Sequence, residues 1–164
     1  MLGVGRQVAA AAARRDVDHL ALEVYLPGLA QTILRAERED VTNLRLVQAN
    51  APEVFATTLP AGSADEVWVF FPDPWPKARH HRRRFVTPEH LIPLARVMKP
   101  GAEFRVATDI PDYVRQTLEE VPPAGFDLVA EGPEPWDDWL STRYEQKALR
   151  EGRVPHYVTF RRQG

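Results

Sequence analysis

The sequence predicts an α/β fold in which helices cover both faces of a mostly parallel sheet. Two kinds of segment alternate along the chain. In one kind apolar and polar residues alternate, as in strands, and in the other the apolar residues recur at helical spacing. DEVWVFF at residues 65–71 is a nearly continuous apolar run, which indicates a strand buried on both faces. The chain has 164 residues, 44% hydrophobic and 27% charged, which suffices for one core. We therefore assign residues 1–164 to a single domain.

The first part of the chain contains two predicted strands and two predicted helices. HLALEVY at 19–25 and NLRLVQ at 43–48 alternate apolar and polar residues, as strands do. Between them, residues 28–38 place their apolar residues on one face of a helix. PEVFATTL at 52–59 predicts a short helix with proline in its first turn, where the missing amide proton is not needed.

The second part continues the alternation of strands and helices. A proline-rich loop follows the strand at 65–71, and a helix follows near 88–98, which Pro93 must kink or delay. Lys-Pro-Gly at 99–101 predicts a turn. The remaining predicted elements are a strand at 102–109, a helix at 110–121 and closing strands at 126–131 and 156–162.

Polar side chains stand at the ends of four predicted strands. They are Glu23, Asn50, Asp73 and Asp109. Each of them alone is typical of a helix cap or a turn. Ligands of parallel sheets bind outside the carboxyl ends of the strands, so four such groups at one edge predict a functional site.

A glycine pair at the start of the chain resembles a nucleotide-binding turn. Gly3 and Gly5 precede an alanine-rich helix, and Glu23 lies where an acid commonly binds ribose hydroxyls. The pattern does not separate a nicotinamide cofactor from S-adenosylmethionine. Gln7 occupies the third glycine position, and no strand precedes the glycines. We therefore expect the first strand to be missing, which would leave two neighbouring strands without a partner and the domain poorly stable.

One segment, FFPDPWPKARHHRRR at 70–84, concentrates both prolines and positive charge. Prolines on either side of Asp73 restrict the loop around this carboxylate. The net charge of the chain is −2, yet residues 77–84 contain one lysine, Lys77, and four arginines and no acidic residue. Such a patch predicts contact with a polyanion, although a solvated basic turn is the simpler alternative.

Several other classes of protein are disfavoured by composition. The chain has no cysteine, which fits a reducing compartment and excludes disulfides and thiolate metal sites. His80 and His81 are adjacent and lack an obvious third ligand, so we expect no metal. No apolar run reaches membrane-spanning length, and the N-terminus lacks a secretory signal, so we expect a cytoplasmic protein without a membrane partner.

The proline and basic segment closely resembles the signature FFPDPWPKxRHxKRR of bacterial tRNA (guanine-N7)-methyltransferases. The resemblance extends in order over nearly the whole chain, through ALEVYLPGL, NLRLVQANAPEVF, MKPGAEFRVATD and STRYEQKALREGRVPHYVTFRR. It implies a class I methyltransferase fold (Rossmann-like), S-adenosylmethionine as methyl donor and the variable-loop guanosine of tRNA as acceptor. It also implies a cofactor half at about 1–60 and a catalytic and tRNA-binding half at about 65–164.

The resemblance implies roles for individual residues. The cofactor site would contain Gly3, Gly5, Glu23, Asn50 and Asp73, with Asp73 as the catalytic acid. The substrate would be contacted by Lys77, Asp109, Thr142, Arg143, Tyr144 and Glu145. The tRNA phosphates would be bound by Arg79, His80, Arg82, Arg83 and Arg84.

The implied chemistry suits these residue types. Guanine N7 carries an in-plane lone pair, so no proton must leave before it attacks, and catalysis can be positioning plus electrostatics. Asp73 has the right sign to stabilise the positive charge that develops on the purine. Asp109 or Glu145 could accept hydrogen bonds from guanine N1–H and its amino group. Trp75 could stack on a base or pack against the loop prolines.

Three departures from the family pattern fall in the cofactor half. Met1 stands where an acid is usual, Gln7 replaces a glycine, and Asn50 stands where the family usually has Asp. Two hypotheses fit: an enzyme whose start lies upstream, or a degenerate member that binds tRNA with little methyl transfer. For this chain we expect weak cofactor affinity. We expect tRNA as partner and a monomer or homodimer. A dehydrogenase-like nucleotide binder would leave the basic loop without a use.

Overall fold

The computed structural model describes residues 4–139, 141 and 143–164. Its helices are α1 (Val4–Ala13), α2 (Leu26–Arg38), α3 (Ala51–Thr57), α4 (Pro88–Val97), α5 (Pro111–Glu120) and α6 (Arg143–Arg150). Its strands are β1 (His19–Glu23), β2 (Leu44–Gln48), β3 (Ala64–Phe70), β4 (Met98–Thr108), β5 (Phe126–Gly132) and β6 (His156–Arg162). Short 3-10 turns cover Ala78–Arg83 and Pro122–Ala124.

The strands form two sheets. β1 and β2 pair in parallel, from His19 beside Leu44 to Glu23 beside Gln48. The second sheet has the order β3-β4-β6-β5, in which β3 and β4 are parallel and β6 is antiparallel to both of its neighbours. β1 with β2 and β3 with β4 thus pair in parallel, as predicted.

Two neighbouring strands each keep an unpaired edge. Within the part of the chain that the structure describes, β1 pairs only with β2 and β3 pairs only with β4. A cavity of about 990 Å3 lies against both, lined by residues 19–24 on one side and residues 63–70 on the other. This is the arrangement that the sequence analysis expects of two strands without a shared neighbour.

Most of the buried apolar surface belongs to the second sheet. Fifteen buried residues form one core around β4, β6 and the helices α4 and α5, with Phe104 and Phe160 at its centre. A much smaller core beneath β2 contains Val8, Ala11 and Val41. The first sheet therefore has little packing of its own.

Four details differ from the predicted elements. The predicted turn at 99–101 is wrong, because β4 begins at Met98 and runs through these residues, with Gly101 at a φ of +78°. Pro93 does not delay α4, which begins at Pro88. α6 was not predicted as a helix. β1 ends at Glu23, two residues early, because α2 begins at Leu26.

Among the described residues, no helix combines the length and the apolar character that crossing a membrane requires.

Candidate active site

The cavity between the two sheets brings together three of the predicted polar groups. Glu23 ends β1, Asn50 precedes α3, and Asp73 lies in the loop after β3, and all three line this cavity. They meet because the parallel strands end at the same edge. Asp109, the fourth group, is not among the residues that line the cavity.

Glu23 and Asn50 keep polar atoms available to the cavity. One carboxylate oxygen of Glu23 accepts a hydrogen bond of 2.8 Å from the backbone amide of Tyr25. Asn50 is exposed and occupies the N-cap position of α3, but within the described residues its side chain makes no capping hydrogen bond. The capping explanation for Asn50 therefore fails for its side chain, while its carbonyl accepts from Val54.

Asp73 is exposed on a loop with unusual backbone conformations. Phe71 has a φ of +48° and Trp75 a φ of +40°, values that bulky residues rarely adopt. Each such residue costs on the order of 1–3 kcal/mol and persists only when its surroundings fix it. Strained residues on both sides of Asp73 are the pattern of a preorganised site.

The basic segment after this loop folds into a 3-10 turn whose side chains mostly face outward. Lys77, Arg79, Arg82 and Arg83 are exposed. The Trp75 ring lies 5.0 Å from the Arg83 guanidinium and 5.9 Å from the edge-on ring of His80. Trp75 therefore packs within the basic turn, which joins the turn to the loop that carries Asp73.

Arg84 departs from its neighbours and corrects the sequence-based assignment. Only 1% of Arg84 is exposed, and its guanidinium donates to Pro74, Asp112 and Gln116. It is not available for a phosphate, so we remove it from the predicted phosphate-binding set. The sequence offers no spacing that separates this arginine from the two before it.

Asp109 and Glu145 are both engaged inside the protein. Asp109, whose side chain is 11% exposed, forms an ion pair with Arg153. Glu145, only 5% exposed, accepts hydrogen bonds from the indole N–H of Trp139 at 2.9 and 3.0 Å and from the Tyr157 hydroxyl. Burial, together with this hydrogen bond, raises the pKa of Tyr157, so its hydroxyl stays protonated and donates.

An aromatic cluster lies beside Glu145. It consists of Phe70, Phe71, Trp136, Trp139 and Tyr157. The guanidinium of Arg6 from α1 lies 3.2 Å above the Trp139 ring and 4.8 Å from the Phe70 ring. Burial lowers the pKa of Arg6 to about 10, so it remains a cation at neutral pH. Sequence reasoning missed this cluster, since its members come from three separate segments.

The other predicted residues are placed as follows. Gly5 lies in the first turn of α1. Arg143 and Tyr144 open α6, and nothing further is described of their side chains. Gly3 and Thr142 lie outside the described residues. Across the described ranges, no group of three or more His, Cys, Asp or Glu side chains could hold a metal ion.

Comparison with families and proteins of known sequence gives a consistent result. A family model described as "Putative methyltransferase" matches residues 2–157. The tRNA (guanine-N(7)-)-methyltransferase of Paracoccus denitrificans is 63% identical over 98% of this chain and 69% of its own length. The protein of the same description from Ruegeria sp. is 60% identical over 90% of this chain and 59% of its own length. The chain thus spans roughly three fifths to two thirds of these relatives.

Solved structures share the fold at low identity. The 16S rRNA methyltransferase KamB matches with a TM-score of 0.72 and 19% identity, over 99% of this chain and 85% of its own. An rRNA methylase from Streptococcus thermophilus matches with a TM-score of 0.63 and 13% identity, over 100% and 84%. At these identities the likeness shows the fold alone.

Proposed function

Because this chain belongs to the tRNA (guanine-N(7)-)-methyltransferase family and has the fold of class I methyltransferases, we propose that it methylates N7 of guanosine in the variable loop of tRNA, with S-adenosylmethionine as donor. One observation carries the proposal for this chain. The strained proline loop holds Asp73 at a cavity that Glu23 and Asn50 also line, directly beside an exposed basic turn.

The cavity suits an adenosine cofactor. Its volume of about 990 Å3 is ample for a ligand of this size. Glu23 offers carboxylate oxygens to ribose hydroxyls, and Asn50 offers an amide that can both donate and accept. When bound, S-adenosylmethionine supplies a methyl group on a sulfonium, which is electrophilic. Gln7 is turned to α2, where it accepts from the Thr32 hydroxyl at 3.3 Å.

The protein's contribution to the reaction is electrostatic. The N7 lone pair needs no base, so Asp73 has no proton to remove. Its carboxylate instead stabilises the positive charge that develops on the purine during transfer. A carboxylate fixed by a strained loop needs little reorganisation, which makes that stabilisation effective.

Two carboxylates are candidates to recognise the guanine base. Asp109 and Glu145 can each accept from N1–H and the amino group. Asp109 is held by one partly exposed arginine, Arg153, so the base could take the place of that partner. The segment around Glu145 would supply further substrate contacts from Thr142, Arg143 and Tyr144.

The exposed basic turn would bind the tRNA backbone. We propose that Lys77, Arg79, Arg82 and Arg83 contact phosphates, with His80 beside them, and position the RNA without reading its sequence. We propose the cytoplasm as the location of the protein and a monomer or homodimer as its oligomeric state; the absence of cysteine agrees with that location.

The test is methyl transfer from labelled S-adenosylmethionine to unmodified tRNA, at high cofactor concentration because Gln7 and Asn50 depart from the family pattern. Asp73→Asn should lower kcat by about 100-fold to 1,000-fold while leaving tRNA affinity unchanged. A tRNA that carries 7-deazaguanosine at the acceptor position should bind and remain unmethylated. Salt-sensitive tRNA binding without any transfer by the unmodified chain would identify a binder and contradict the proposal.

A further inference from the structure

The basic segment is divided by the direction of its side chains. Arg82 and Arg83 are exposed, whereas Arg84, the next residue, is 1% exposed. A buried guanidinium is costly unless hydrogen bonds and an opposite charge compensate it. The contacts that compensate Arg84 therefore identify what its charge is used for.

Arg84 connects α5 to the loop that carries Asp73. Its Nε donates to the carbonyl oxygen of Pro74 at 2.9 Å, and Pro74 directly follows Asp73. On the other side, its Nη1 donates to Asp112 and Gln116 of α5, each at 2.8 Å. A single planar group thus joins the helix to the loop, a geometry that the five fixed donors of arginine favour.

The helix end of this connection is rigid. Tyr113 is fully buried beneath Arg84, with the guanidinium 5.0 Å from its ring. The Tyr113 hydroxyl accepts from the amides of Phe85 and Val86 at 3.1 and 3.4 Å, which fixes the chain directly after Arg84. The side-chain amide of Gln116 donates to Val86 at 2.6 Å. Arg84 is therefore fixed by residues of α5, including the buried Tyr113.

The loop end is where fixation is required. Trp75 follows Pro74 and has a φ of +40°, a conformation that returns to ordinary values unless the surroundings resist. Proline at 72, 74 and 76 removes three of the amide donors that could have fixed the loop. The Pro74 carbonyl is a hydrogen-bonding point that remains, and Arg84 uses it.

We infer that Arg84 is a positioning residue, which fixes the Asp73 carboxylate through the carbonyl of Pro74 and makes no contact with RNA phosphate. The inference rests on the proposed function for the reaction itself. It assigns two roles within one basic run: Arg82 and Arg83 serve RNA affinity, and Arg84 serves the geometry of the catalytic loop.

The first test separates turnover from affinity with Arg84→Lys, which keeps the charge and loses the forked donors. We expect kcat to fall about 10-fold to 100-fold, because a displacement near 1 Å can cost this much. The KM for tRNA and the salt dependence of tRNA binding should not change. Arg82→Ala or Arg83→Ala should instead reduce the slope of log affinity against log salt by roughly 0.7–0.9 each.

A control variant and a milder variant distinguish a positioning role of Arg84 from a general folding defect. Arg162→Lys removes a matched set of arginine-to-carbonyl bonds, to Ala95, Gly125 and Gln163 at the opposite end of the sheet, and should leave kcat unchanged. Asp112→Asn weakens the hold on Arg84 from an exposed position and should lower kcat several-fold. An Arg84→Lys variant with normal kcat would overturn the inference, because the forked donors of Arg84 would then not matter to the position of Asp73.

A second measurement does not depend on activity. The chain has four tryptophans, so fluorine NMR of fluorotryptophan-labelled protein can follow Trp75, assigned with Trp75→Phe. The Trp75 resonance should shift or broaden in Arg84→Lys and stay unchanged in Arg162→Lys. Absence of methyl transfer by the unmodified chain would contradict the proposed function. The Trp75 spectrum would still show whether Arg84 fixes the loop, because it does not depend on activity. An unperturbed Trp75 in Arg84→Lys would overturn the inference.

Discussion

The two halves of the domain are built unequally, although both line the same cavity. Residues 4–59, the N-terminal half, contain the two-stranded sheet and a core of three buried residues. Residues 64–164, the C-terminal half, contain the four-stranded sheet and nearly all of the 15-residue core. Free energy from burial scales with buried apolar area, so we expect the second half to be the more stable of the two. We therefore expect the first half, the proposed cofactor side, to depend on contacts that cross between the halves.

A few specific contacts provide that connection. Phe55 of α3 is buried in the larger core, and Arg96 of α4 donates to its carbonyl at 2.7 Å. Arg6 of α1 lies on the aromatic cluster, and Arg14 forms an ion pair with Glu66. These contacts join the proposed cofactor side to the half that carries Asp73. The following predictions test the inequality, from the largest expected effect to the smallest.

Core truncation should show the inequality most strongly. Phe104 is fully buried among Phe126 and Phe160, so Phe104→Ala should lower the free energy of unfolding by about 3–5 kcal/mol. Val8→Ala in the smaller core should cost about 1.6 kcal/mol at most, since it removes only two methyl-sized groups. Urea unfolding measures the free energy of unfolding of both variants. Leu128→Ala is the control, because Leu128 is half-exposed. Equal losses at Phe104 and Val8 would contradict the comparison.

Local opening should differ between the two sheets. Amides of β1 and β2 have one pairing partner and little core beneath them, whereas Val106 and Val158 lie at the centre of the larger sheet. We expect amides of the first sheet to exchange with deuterium at least about 100-fold faster, because local opening bypasses global unfolding. Hydrogen exchange followed by NMR measures this. Equal protection in both sheets would mean that the halves unfold as one unit.

Much of this architecture was predictable because its signals are local. Alternation or a continuous apolar run predicted the described strands, and the parallel arrangement brought Glu23, Asn50 and Asp73, but not Asp109, to one cavity. Boundaries were less accurate where turn residues conflicted with strand pairing. Lys-Pro-Gly at 99–101 reads as a turn, but β4 continues through it.

The side-chain partners were not predictable, since they depend on long-range packing. Arg84 is chemically the same as Arg83 in sequence, and only the position of α5 makes it the buried one. Glu145 was identified, but its partners Trp139 and Tyr157 come from a loop and from β6. The pairing of Arg153 with Asp109 joins residues 44 positions apart. No periodicity signals any of these contacts.

Acid should weaken the N-terminal half first. His19 of β1 packs against the Trp68 ring, and burial, helped by the charge of Arg14, lowers its pKa below the ordinary 6.5. Between that lowered value and 6.5 the unfolded chain binds a proton that the folded His19 resists, so stability falls as pH drops through this window. His19→Gln should reduce this loss, measured as the change in Tm between pH 7.5 and 5.5.

The C-terminal half offers a contrasting group for the same measurement. Hydrogen bonds from Arg115 and Arg84 lower the pKa of Asp112 below 3.8, so its contribution is present above that value and is lost only in stronger acid. Asp112→Asn should therefore leave the Tm difference between pH 7.5 and 5.5 unchanged. If Asp112→Asn changed this Tm difference more than His19→Gln did, acid would weaken the C-terminal half first.

The ion pair between the halves should have the smallest effect and the most local one. Arg14 donates to both oxygens of Glu66 at 2.8 and 3.0 Å, but the side chains are 38% and 28% exposed, so their coupling energy should be about 0.5 kcal/mol. Arg105 and Asp138 form a matched bidentate pair inside the C-terminal half, at 2.9 Å for both bonds. Double-mutant cycles should give similar energies for the two pairs. Only the loss of Arg14–Glu66 should speed amide exchange in β1 and β2, because it alone of these two pairs joins the residue after α1 to β3 of the larger sheet. Equal acceleration by both pairs would mean that the N-terminal half is not held by contacts across the cavity.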